Sequence, residues 1–284
     1  MAINWYPGHM VKTKRQMIDS LKLVEAVIEI RDARIPKSSK NPDIEYICKD
    51  KPRIILLNKS DLSDDNINRS WIKLLSKSDT LALSVNCQTG LGLNKIKPSL
   101  ELLLKEKIER QKNKGILNVT IRAMVVGIPN VGKSTFINKM AQNAIAKTGD
   151  KPGVTKAKQW IKTKQGIELL DTPGVLWPKL DSEETQLNLA FTGAIKDEIL
   201  DIEELALKLV GNLTRNYKEL LKIRYKADDL GEDPLENLEK MARRRGCLLP
   251  GNNIDYNRIS VILLDEFRGG KIGKISLEKP ESGD

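Results

Sequence analysis

Residues 53–61 read RIILLNKSD, an apolar run that stops at Asn58-Lys59-Ser60-Asp61. Asn-Lys-x-Asp behind a strand is the tetrapeptide with which nucleotide-binding domains read guanine. The Asp61 carboxylate can accept from the guanine N1–H and 2-amino group, whereas adenine would set a lone pair against the charge. Asn58 would brace neighbouring loops, and the Lys59 stem would lie along the base. Such a tetrapeptide ordinarily follows a phosphate loop. Here the matching pattern, GIPNVGKST at 127–135, comes far downstream.

That second stretch fits G-x-x-x-x-G-K-[ST], with an apolar strand (IRAMVVG, 121–127) before it and a helix after it. Backbone N–H groups of Asn130, Val131, Gly132 and Thr135 can wrap phosphates, aided by the helix N-terminus. Lys133 can reach the β- and γ-phosphates, and Ser134 can ligate Mg²⁺. Downstream stands DTPG (171–174), where Asp171 can hold the Mg²⁺ shell and Gly174 can offer its N–H to the γ-phosphate. Between them, Thr155 in GDKPGVT is the candidate second hydroxyl ligand of Mg²⁺. SVN at 84–86 ends another apolar run. Backbone N–H groups of Val85, Asn86 and the adjoining Cys87 would face guanine O6, with Ser84 buttressing Asp61.

Each fragment is weak alone. Together they make five elements of one site, each at the carboxyl end of an expected strand, where open α/β sheets bind ligands. Read cyclically from Gly127, the order is phosphate loop, Thr loop, DTPG, NKSD, SVN. That is the ordinary GTPase order cut and rejoined, and domain ends near one another at the surface permit it.

The remaining chain supports this. Short apolar runs at 23–30, 53–58, 81–86 and 121–127 alternate with helix-like stretches at 12–22, 41–49, 66–77 and 92–112, and QWIKT and IELLD form a hairpin around Gly166. The expected fold is α/β: a circularly permuted P-loop GTPase domain over 1–178, its mostly parallel sheet covered by helices on both faces. From about 183 onward the spacing is helical with no strand, so 179–284 should be an all-helical domain with helices at 183–195, 201–213, 216–225, 234–246 and 256–270. Three scattered cysteines exclude a disulfide framework. The N-terminus lacks a signal peptide's apolar core and no run approaches a membrane span, so a cytoplasmic address and no membrane partner are expected. The net charge is +10. Residues 1–178 carry 31 basic and 17 acidic side chains, and residues 179–284 carry 17 and 21. A nucleotide-binding half this basic suggests a larger polyanion, RNA first.

WYPGHM at the N-terminus, RDARIP (31–36), NKSD, GIPNVGKST, PGVT and DTPGVLWP together resemble the bacterial ribosome biogenesis GTPase A family over essentially the whole chain. The resemblance implies a monomeric cytoplasmic GTPase that assists late assembly of the large ribosomal subunit. It would bind the RNA-rich precursor and its rRNA, with the helical domain in contact. GTP and GDP are the implied ligands, and guanosine alarmones could enter the same pocket.

Hydrolysis needs a group to orient water, and Val175, which follows DTPG, cannot hydrogen-bond one. His9, the one histidine, is a candidate. Its alternative is a plain surface residue, and the resemblance connects PGHM with hydrolysis. Asn130 either caps the phosphate loop or, as in a class of GTPases it resembles, helps bind K⁺ near the phosphates. Two competing readings are an RNA-binding factor whose hydrolysis is incidental and a tRNA- or membrane-linked GTPase with the same pocket.

Overall fold

Apolar runs of strand length alternate with helical periodicity as far as residue 171, and the backbone follows them. The computed structural model describes residues 7–116, 119–141, 160–174 and 182–280, the first seven by backbone alone. Thr155 and Val175 lie outside the described residues. In chain order come α1 (Pro7–Leu21), β1 (Ala26–Asp32), α2 (Pro42–Cys48), β2 (Arg53–Asn58), α3 (Asp65–Leu75), β3 (Thr80–Ser84), α4 (Ile96–Leu103), α5 (Lys105–Asn113), β4 (Ile121–Gly127), α6 (Lys133–Met140), β5 (Trp160–Lys162) and β6 (Ile167–Asp171).

The six strands form one sheet in the order β3-β2-β1-β4-β6-β5, parallel throughout except for β5, which pairs antiparallel with β6. Renumbered from β4, the strand that feeds the phosphate loop, the order becomes 6-5-4-1-3-2. The rotated chain is then a continuous α/β domain, and the fold is circularly permuted.

One face of the sheet carries two apolar clusters. Met17 and Leu21 of α1 and Ile44 and Cys48 of α2 pack on Val27, Met124, Val126 and Leu170. Trp71 of α3 packs on Ile55, Leu57 and Ala82. Glu29 lies between the clusters, beside Ile55 on one neighbouring strand and Val126 on the other. Its charge is buried but answered by Arg31 at 2.7 Å and Arg53 at 3.3 Å, as a buried carboxylate requires. The alternate residues Ile28, Ile30, Ile54, Leu56 and Val125 are buried too, on the face of α4 and α6 with their buried Ile96, Leu100, Phe136 and Ile137.

The chain divides into two compact units, Met1–Asp181 with Glu278–Asp284, and Ser182–Leu277. The tail thus belongs with the first unit, where a single break at 178 would leave it with the second. The Glu278 carboxylate accepts from Lys37 N at 2.6 Å, from Ser38 N at 3.0 Å and from the Ser38 hydroxyl. Its carbonyl accepts from Trp71 Nε1 at 3.3 Å.

The second unit holds α7 (Glu183–Phe191), α8 (Ile202–Tyr225), α9 (Pro234–Arg245) and α10 (Tyr256–Arg268). Each begins at a side-chain cap, Ser182, Asp201, Asp233 or Asp255, which supplies acceptors for otherwise unpaired N–H groups. The break expected between 213 and 216 falls at Tyr217 (φ −143°, ψ 33°), where two helical segments of α8 meet at a kink and the Tyr217 hydroxyl donates to Ser276 O at 2.8 Å. Two expectations need correction. The stretch 92–112 is two helices, broken at Leu104. A two-residue hairpin, β7 (Leu248–Leu249) with β8 (Asn253–Ile254), occurs where no strand was expected. Its strands are too short for period-two patterning to register.

Candidate nucleotide site

Five parallel strands end in sheet order at Ser84, Asn58, Asp32, Gly127 and Asp171. Because they run the same way, the loops leaving them share one edge, and SVN, NKSD, GIPNVGKST and DTPG are all on it. A strand-end edge of this kind is where open parallel sheets hold ligands.

Asn58 joins three of these loops. It is buried, its Nδ2 donates to Val131 O at 2.8 Å, and its Oδ1 accepts from Cys87 N at 3.0 Å. Gly132, at φ +102°, is required here twice over: its backbone is left-handed, and a Cβ would run into Asn58 Nδ2. Lys59, itself at φ 59°, sends its ammonium across to Asn130 O at 3.0 Å. Ser60 N donates to Val85 O at 3.2 Å. Asp61 follows in a short turn over Ser60–Leu62, with its carboxylate exposed.

Two expected contacts at the base end are not as drawn from sequence. Val85 N donates to Leu57 O, Asn86 N to Leu91 O and Cys87 N to Asn58, each at 3.0 Å, so these N–H groups already serve the protein. Among the described residues no hydrogen bond joins Ser84 to Asp61. The Val85 N–H extends the β3–β2 ladder, the Asn86 N–H closes the turn that reaches Leu91, and the Cys87 N–H goes to the Asn58 side chain. The Cys87 thiol is buried and pushed up to about 12 by desolvation, so it supplies no thiolate.

At the phosphate end, Asn130 takes a left-handed backbone (φ 56°), and the Lys133 ammonium bonds Gly127 O at 2.9 Å and Ile128 O at 2.8 Å. DTPG approaches closely: a Cβ on Gly174 would strike Lys133 Nζ and lie 3.2 Å from Pro129. Thr172 anchors that loop by donating to Val125 O at 2.6 Å. Val131 is buried and Thr135 half-buried, while Asn130, Ser134, Asp171 and Gly174 are exposed. His9 lies in the first turn of α1, its side chain outside the described residues.

The sequence reading gave RDARIP no task, yet it leaves β1, the strand between the two ends of the site. Asp32 accepts from Arg34 N and Nε, both at 3.0 Å, and from Arg34 Nη2 at 2.8 Å. Lys59 Nζ stands 3.0 Å from Asp32 Oδ2. Burial alone would raise the carboxyl's pKa, but the charges of Arg34 and Lys59 and the Arg34 hydrogen bonds hold it far below the ordinary range. A polar Asp at the end of an apolar strand, as in DTPG, was the available signal.

Relatives fix the family. A "Ribosome biogenesis GTPase A" from Bacillus cereus is 48% identical over 281 residues, 99% of this chain and 95% of its own. The one from Thermotoga maritima is 32% identical, with 98% and 95% covered. This chain belongs to the ribosome biogenesis GTPase A family. A crystal structure titled GNP-bound YlqF from T. maritima superposes on the ribosome biogenesis GTPase A fold seen here with a TM-score of 0.66 at 27% identity, covering 95% of this chain and 99% of that one. A GDP-bound form of the same protein gives 0.66 as well, covering 94% and 100%. The family model described as "50S ribosome-binding GTPase" matches residues 122–233. Its match opens at the phosphate-loop strand and never reaches NKSD, which the permutation has put upstream.

GTPase domains of this kind use Mg²⁺, and the donors suit it. Ser134 and Asp171 offer hard oxygen ligands from adjacent strands' loops. Among the described residues no three His, Cys, Asp or Glu side chains gather to hold a metal alone. The metal would therefore be shared with ligand phosphates, the usual habit of Mg²⁺.

Proposed function

We propose that this protein binds and hydrolyses GTP while acting in late maturation of the large (50S) ribosomal subunit, on RNA-rich precursor particles and in a nucleotide-dependent way. GTP hydrolysis and a place in ribosome biogenesis follow from the family. The observation that carries the site is the tie of Asn58 and Lys59 to the phosphate loop at 2.8 and 3.0 Å, which joins base-reading and phosphate-binding motifs across the permutation.

In this reading Asp61 accepts from the guanine edge, and Lys133 exchanges its two loop carbonyls for β- and γ-phosphate oxygens. The γ-phosphate reaches the Gly174 N–H, and the N–H groups of Asn130 to Thr135 surround the β-phosphate. Ser134 and Asp171 hold Mg²⁺, with Thr155 as the further hydroxyl. Mg²⁺, when bound, neutralises charge on the phosphate oxygens. K⁺ beside Asn130 would add to that neutralisation, and faster turnover in K⁺ than in Na⁺ checks it. His9 orients water once the particle engages the N-terminal segment, so hydrolysis is slow in isolation.

The basic first unit supplies phosphate contacts to rRNA. In the second unit Arg243 and Arg244 are exposed on the last turn of α9, whereas Arg245 is committed to Glu266 and lies over Tyr225. The protein works as a cytoplasmic monomer. The test is GTP turnover with and without purified precursor particles, for the native chain and His9→Ala. Particle stimulation that His9→Ala loses, with GDP affinity kept, is expected. No stimulation by any ribosomal particle would refute the assignment.

A further inference from the structure

Lys59 must lay a flexible four-carbon stem along the base, and a lysine left to itself populates many rotamers. Three features remove that freedom. Its backbone is left-handed at φ 59°, its ammonium donates to Asn130 O at 3.0 Å, and Asp32 Oδ2 stands 3.0 Å from the same nitrogen. Asp32 is itself fixed: its side chain is 3% exposed, Arg34 grips both its oxygens, and its N–H donates to Ser39 Oγ at 3.1 Å.

Arg34 is the carboxylate's main partner, a bidentate guanidinium that supplies one full countercharge and two parallel hydrogen bonds. Lys59 adds a second charge from 3.0 Å, and the same contact fixes the end of its own flexible stem. We propose that Asp32 is a positioning residue of the guanine pocket, holding the Lys59 ammonium against the phosphate loop so that the stem is set before nucleotide arrives. RDARIP becomes the fifth motif loop of the edge: Asp32 positions, Arg34 keeps Asp32 charged and rigid, and Ser39 fixes its backbone. This rests on NKSD being the base reader.

A double-mutant cycle tests it, with the full-length chain and a fluorescent GDP analogue. Asp32→Asn, Lys59→Met and the double variant are titrated. Lys59→Met keeps the stem and removes the ammonium. Acting through Lys59, Asp32→Asn should raise the Kd about fivefold or more in the native background and change it less than about twofold beside Lys59→Met, a coupling of the size found for residues in contact. An equal factor in both backgrounds would overturn the proposal, since Asp32 would then serve only the fold. If Lys59→Met alone leaves the Kd unchanged, the ammonium has no part in binding and the proposal falls, whereas the reading of NKSD itself fails only if Asp61→Asn keeps guanine preference. Asn at 32 leaves Arg34 buried without a countercharge, so the cycle is repeated with Asp32→Asn/Arg34→Gln, which removes both charges together. The same non-additivity is expected there.

Discussion

The two ends of the nucleotide site are built differently. At the base end, Asp61 is itself exposed, but the residues that support its loop, Asn58, Asp32 and Arg34, are buried and bonded across three loops. At the phosphate end, Ser134, Asp171 and Gly174 are exposed, and Lys133 rests on carbonyls of its own loop. Preorganised polar groups discriminate well because a wrong ligand leaves them unpaired. Groups that are exposed and locally satisfied can instead change partners when a γ-phosphate arrives or departs. In the proposed reading, specificity belongs to the rigidly supported end and switching to the adaptable one.

The largest effect should come from reversing the base reader itself. Asp61→Asn exchanges an acceptor for a donor, and GDP affinity should fall about 10²-fold or more while xanthine nucleotides gain. Competition titration with GDP and XDP measures it, and retained guanine preference would remove NKSD from the site. Asn58→Ala comes next. It strands Val131 O and Cys87 N, and with two buried bonds lost the unfolding midpoint should drop by the equivalent of about 2–3 kcal/mol. Nucleotide affinity should fall too, because the strut from NKSD to the phosphate loop is gone. A variant that lost neither would make the base end no more preorganised than the phosphate end. The smallest effect concerns the tail. Glu278→Ala deprives Lys37 N, Ser38 N and the Ser38 hydroxyl of their acceptor, costing about 1–2 kcal/mol in denaturant unfolding. Guanine selectivity should survive, since Asp61 and Asn58 are untouched.

The same contrast explains what could be read in the sequence. β2 and β4 were legible to the residue, because RIILLN and IRAMVVG are uninterrupted apolar runs closed by a polar motif or a glycine. The permuted order was legible because each motif has fixed local spacing that survives cutting the chain. Contacts that depend on long-range register were not. Nothing in SVN says that the Val85 N–H will join the ladder to Leu57, the Asn86 N–H a turn at Leu91 and the Cys87 N–H the Asn58 side chain. Nothing in RDARIP says that Asp32 will meet a lysine 27 positions along, since that follows from β1 pairing with β2 and bringing Asp32 beside Asn58. The tail was missed for a similar reason: Glu278 is one acidic residue in a polar stretch, and its carboxylate's partners lie 240 and 241 positions earlier.

Amide hydrogen exchange with and without GDP tests the division of labour most directly. Residues 58–61 and 84–87 carry bonded amides at Ser60, Val85, Asn86 and Cys87 and should be protected in the free protein, with little further gain on GDP binding. Residues 128–135 and 171–174 should exchange quickly in the free protein and slow markedly with GDP. Equal gains at both ends, or fast exchange at 58–61 and 84–87 without nucleotide, would contradict a preformed base end joined to a phosphate end that the ligand completes.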